Sequence, residues 1–285
     1  MKGRAVLKGR AAVPGPAAVR GRAAGVGGRA GVALLAGVVV FCGLTPLVSP
    51  YDPYLPDPAR ALLPPGAEHW LGTDQLGRDL LTRTAAAGAV SLLTALAVTA
   101  ITTAFGTVAG AVAGLAGGVP ERLLRHASAV ALALPGLTFA LALAGVLPPG
   151  PGTVVAALVP FGWVSCGLVA HTATRRVAAS GFVLAARAMG ASPSYLLRRT
   201  IGPHIAGPVL TVATADLGRT LIAATSLSFL GIGLPPPATD WGGMVSEAVP
   251  LLVAAPRLAI VPAVALAVTG VAVALVADAR RLSQE

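Results

Sequence analysis

Six apolar runs, at 31–48, 88–115, 127–147, 153–170, 205–229 and 258–277, divide the chain, with polar or proline-rich breaks between them. Each can hold the roughly 20 residues that a helix needs to cross a hydrocarbon core, so six membrane helices are predicted. Pro148, Pro149, Gly150, Pro151 and Gly152 make a tight turn between the third and fourth runs, since neither residue type continues a helix well. The break at 182–203 differs from the rest. It is basic and partly amphipathic, with Phe182, Ala185, Ala186 and Met189 at the i, i+3, i+4, i+7 spacing of one helical face. Gly190 is placed to end that helix by accepting a left-handed backbone. Ser192 and Pro193 start another, as N-cap and first helical residue. Two short helices joined at a glycine hinge are expected, presenting a docking surface rather than a catalytic one.

Charge orients the spans. Residues 1–30 hold seven Lys/Arg and no acid in an Ala/Gly/Pro/Val-rich background, for which a disordered cytoplasmic tail is expected. A cleaved signal peptide is the rival reading of the first run. The long basic stretch ahead of it and the missing A-x-A site favour a retained span. The next region, through Arg83, carries five acids against three arginines and is expected outside. Arg175, Arg176, Arg187, Arg198 and Arg199, with no acid from 172 to 204, place the 182–203 loop inside. With both termini cytoplasmic, sixteen of the twenty-one basic residues fall on one side, so span counting and charge agree. The resulting division is a tail at 1–30, the first helix and external loop at 31–86, a transmembrane core at 87–280 and a cytoplasmic tail at 281–285.

Composition narrows the class. The chain is 55% hydrophobic and 11% charged, where a soluble domain has about a quarter of its residues charged. An all-α polytopic membrane protein is the consequence. The net charge of +10 does not point to nucleic acid, because the basic residues sit at the edges of apolar runs. Cys42 and Cys166 lie within such runs and read as small buried residues. His69, His126, His171 and His204 are scattered, so no metal site or cofactor is expected. No phosphate loop, GxSxG elbow or HExxH is present, and the chain is not expected to be an enzyme. Asp216 and Arg219, three apart in the fifth span, are either a structural intramembrane pair or path-lining groups. In 73–83, Asp74/Arg78 and Asp79/Arg83 at i, i+4 would hold a short external helix flat on the membrane. An ATPase-independent secondary transporter would usually need an internal repeat and several coupled carboxylates. An intramembrane enzyme would need paired catalytic groups at one depth. Neither is apparent.

Three stretches carry a specific resemblance. His69 to Arg83, HWLGTDQLGRDLLTR, resembles the HPLGTDxLGRDxLSR signature of permease subunits of ATP-binding-cassette importers of the dipeptide/oligopeptide/nickel family. Ala185-Ala186-Arg187-Ala188-Met189-Gly190-Ala191-Ser192, with Ile201 and Pro203, resembles the family's EAA loop. Leu227-Ser228-Phe229-Leu230-Gly231-Ile232-Gly233, Pro235, Pro236 and Trp241-Gly242 resemble its segment before the last span. Leu184 stands where the EAA triplet usually has glutamate, and Ala224 where a glutamate often precedes the last motif. The resemblance implies a six-helix type I importer permease in the bacterial inner membrane, forming half of a translocation path for di- or oligopeptides, with nickel or another small solute as the alternative. It implies a second, similar permease subunit, cytoplasmic ATPase subunits that supply the energy, and an external solute-binding protein. Ala185, Ala186, Arg187, Gly190, Ala191, Ser192 and Pro193 would form the ATPase-docking element.

Overall fold

The computed structural model of the protein describes residues 16–144 and 146–282. Among these the chain is helical, apart from loops and an isolated bridge between Thr73 and Asp79. Among the described residues, five helical stretches are long and apolar enough to cross a membrane. They are Val26–Val48 of α1 (Pro16–Val48), α2 (Leu80–Ala116), α5 (Pro151–Ala178), the run Pro193–Phe229 ending in α8 (Gly202–Phe229), and α10 (Arg257–Leu282).

The third expected span is not continuous. It consists of α3 (Gly118–Ala133) and α4 (Gly136–Ala144), broken at Leu134 and Pro135. Leu134 has φ −89° and ψ 129°, the extended backbone that a following proline imposes. Six uninterrupted spans thus become five and a broken one. At the start, α1 runs from Pro16 and so takes in residues 16–30 of the expected tail. Extending a helix nucleated in the apolar run costs no new nucleus. The rest of the expected tail, 1–15, lies outside the described residues, as do 283–285 at the other end.

The most extensive helix contact joins α2 to α5. Gly106, Gly110 and Gly114 form a stripe of period four on α2, and a side chain at Gly110 would overlap the Gly167 carbonyl on α5. Such stripes let membrane helices approach to backbone contact. The stretch before the last span also packs more deeply than an external loop would. Trp241, which starts α9 (Trp241–Ala248), is fully buried with Cys42, Leu80 and Leu258. Its indole donates to the Thr84 carbonyl at 2.9 Å. Asp240 caps α9 by accepting from Gly243 N–H at 2.8 Å. Burial pushes the Asp240 carboxyl above the usual carboxylate range, while hydrogen bonds from Ser228 and the Gly243 and Gly242 amides pull it back.

Candidate functional site

The amphipathic stretch forms α6 (Gly181–Ala188), immediately after α5. Val183 is fully buried and packs with Leu196, Ile201 and Ile205; Ala186 and Ala191 lie half-buried against the same cluster. These contacts seat the helix on the base of the bundle. The other side stays open, with Phe182 49%, Leu184 52% and Met189 82% exposed. The expected apolar face is therefore split. Phe182, Ala185 and Met189 face out, Ala186 is partly used internally, and the anchor is Val183, legible only as the i−3 neighbour of Ala186.

The hinge has a defined geometry. Gly190 has φ +86°, its N–H donates to the Arg187 carbonyl, and Ala191 N–H donates to Ala186, both within 3.1 Å. This is a Schellman cap, with Ala186 and Ala191 supplying its apolar contact. Ser192 Oγ then accepts from Tyr195 N–H at 3.3 Å, and Pro193 opens the next helix, α7 (Pro193–Tyr195). That helix is not a separate short element. It continues through a π-helical turn, Leu196–Ile201, into α8. The turn arises beside Pro203, which has no N–H for the Arg199 carbonyl; Gly202 N–H instead bonds back five residues to Leu197. Replacing Ser192 by alanine should cost about 1 kcal/mol of local helix stability, read as faster amide exchange at Ser194 and Tyr195.

The open face is basic. Arg187 in the last turn of α6 suits the negative helix end. Arg198, Arg199, Arg175 and Arg176 are also exposed nearby. Glu121, at the start of α3, accepts from Arg175 at 2.7 Å and Arg125 at 2.9 Å, tying α3 to the end of α5 that leads into α6. Of the expected docking residues, Ala185, Arg187, Gly190, Ser192 and Pro193 are exposed, whereas Ala186 and Ala191 are half-buried. Asp216 and Arg219 form an ion pair on α8, well away in sequence from this surface. Among the described residues, no group of three or more His, Cys, Asp or Glu side chains is placed to hold a metal ion.

Residues 106–281 match the model of the binding-protein-dependent transport system inner membrane component family. The chain belongs to that family. The glutathione transport system permease protein GsiD of Shigella flexneri is 37% identical over 76% of this chain and 72% of its own length. The oligopeptide transport system permease protein OppC of Bacillus subtilis is 28% identical over 83% of this chain and 77% of its own. The dipeptide transport system permease protein DppC of Bacillus subtilis is 29% identical over 73% and 65%. The relatives are transport permeases rather than enzymes, and this permease is a multi-pass membrane protein.

Around the start of its second span the permease holds a buried ionic cluster. Asp74 accepts from Arg78 Nε at 2.7 Å and Arg83 at 2.9 Å, and Arg83 also reaches Glu247 of α9 at 2.7 Å. Asp79 does not pair with Arg83. Its carboxylate caps α2 through Thr82 N–H at 2.9 Å and meets His69 Nδ1 at 2.9 Å. The segment 73–79 is a tight turn rather than a helix, because Gly77 at φ +79° folds it back onto the Asp57 carbonyl, where any side chain would clash. The flat external helix expected here is replaced by a buried knot that joins the first loop to α9.

Proposed function

We propose that this permease is a subunit of an ATP-driven importer of peptides or glutathione-like compounds, and that α6 with the following cap couples it to a cytoplasmic ATPase. The observation that carries this reading is the exposed apolar and basic face of α6, held by Val183 and by the Gly190 cap against the end of the bundle. An amphipathic helix seated in a partner's groove is a recurring recognition mode. Arg187, Arg198 and Arg199 suit acidic residues at the rim of such a groove. The distribution of basic residues favours a cytoplasmic position for this end and for both termini. Relatives named for oligopeptide, dipeptide and glutathione transport support the substrate class.

The broken α3–α4 segment supports a second permease subunit and a shared path. Leu134 is 47% exposed at the break, and non-helical backbone within a bilayer is tolerated where protein or a water-filled cavity covers it. An external solute-binding protein would deliver the substrate to that path. Thiol cross-linking tests the docking surface in the assembled transporter. Ala185→Cys should cross-link to the ATPase subunit, while Leu93→Cys on the aliphatic face of α2 should not. Capture of the ATPase from Leu93 and not from Ala185 would overturn the assignment.

A further inference from the structure

The outward faces of the spans differ in kind. α1, α2 and α10 present aliphatic side chains such as Val40, Leu93 and Val264, as lipid-facing helices do. α8 exposes Leu210 and Ile222 in the same way, but beside them it also presents Arg219, whose side chain is 65% exposed within an apolar span. One turn earlier, Asp216 is buried with 12% of its side chain exposed and pairs with one Arg219 Nη. The Cys166 thiol of α5 donates to the other Asp216 oxygen at 3.7 Å. The acid is thus fixed from behind, and it fixes the arginine.

A guanidinium has five N–H donors in a planar fork. Among the described residues, Arg219 has no second acid within salt-bridge distance. Its free edge opens into a groove of about 490 Å³ between α8 and α10. Gly218 and Gly270 line the groove, and a side chain at Gly270 would meet nothing within 4 Å, so this volume is unfilled by the chain itself. Asp278 and Arg281 stand at the end of α10 that carries its basic residues. An arginine held on one edge and open on the other has the geometry of a carboxylate receptor. Lipid all round would be a poor setting for it, since intramembrane charges turn to protein or to water-filled cavities.

We infer that Arg219 is an anion-recognition residue of the translocation path, where its free edge takes the terminal carboxylate of a passing peptide and Asp216 acts as its positioning residue. The inference rests on the peptide-importer reading above. Specificity for a carboxylate would then lie partly in the permease, in addition to any selection made by an external binding protein.

Charge replacement by thiol chemistry in the whole transporter, reconstituted in liposomes and supplied with a labelled tripeptide, tests this. Arg219→Cys should lower uptake about tenfold or more, the loss expected when a hydrogen-bonded charge contact is removed. A cationic methanethiosulfonate should restore a substantial part of it, and the neutral and anionic reagents should not. Wild type should be insensitive, because Cys42 and Cys166 are 3% and 1% exposed. Arg219→Lys should keep most of the uptake, and co-purification of the ATPase checks that each variant assembles. An unreactive thiol, or equal recovery with neutral and cationic reagents, would overturn the proposal. So would uptake that follows removal of anionic phospholipid from the liposomes while Arg219→Cys transports normally, since that outcome assigns the groove to a lipid headgroup. If wild type carries no peptide, the peptide reading fails first. The same reagent series with the solute it does carry then decides Arg219 separately, and a cationic solute contradicts it.

Discussion

Asp74→Ala is expected to destabilise the permease by about 3–5 kcal/mol, because it leaves two buried guanidinium groups without their shared carboxylate. Asp74 is 1% exposed, and the side chains of Arg78 and Arg83 are each 3% exposed. Glu247 cannot take over both, since it already accepts from Arg83 at 2.7 Å and stands 3.7 Å from Arg78. Thermal unfolding of the purified protein in detergent reads the loss. Adding Arg78→Met to Asp74→Ala should recover part of it by removing one orphaned charge. A variant as stable as wild type would mean that the ionic knot does not hold the first loop to α9.

Gly190→Trp is expected to abolish ATP-driven uptake and the co-purification of the ATPase while the permease still inserts in the membrane. An added methyl group there would meet nothing within 4 Å in this chain, so the position faces open space where a partner can sit. Backbone strain is the competing cause, because φ is +86°. Two further variants separate them. Gly190→Ala carries the left-handed strain of about 1–2 kcal/mol without the bulk. Gly190→Asn adopts that backbone more readily. Uptake should therefore stay near wild type for asparagine, fall modestly for alanine and disappear for tryptophan. Normal transport by the tryptophan variant would remove this surface from the coupling path.

The helical cap at Gly190 and the start at Ser192-Pro193 were legible because both are local backbone chemistry, decided by residues within a few positions. The break in the third span was marked by Pro135, but a hydropathy run conceals a proline whose neighbours are all apolar. The continuation of Pro193 into α8 was concealed in the opposite way, because Pro203 suggested a boundary where a π-helical turn absorbs the missing donor. The spacing of Asp74 and Arg78 pointed to their pair, whereas Asp79 and Arg83 at the same spacing found other partners. Glu247, 164 residues from Arg83, could not be read from local spacing. The glycine stripe of α2 was readable from its period of four, but only packing against α5 shows which face it serves.

Peptide uptake into liposomes containing the complete transporter tests the central claim most directly. ATP is supplied on the ATPase side, with ion gradients collapsed. The account predicts accumulation with ATP, none with a non-hydrolysable analogue, and none when the α6 surface is disrupted by Gly190→Trp. Accumulation driven by an ion gradient without ATP, and unchanged in that variant, would contradict it.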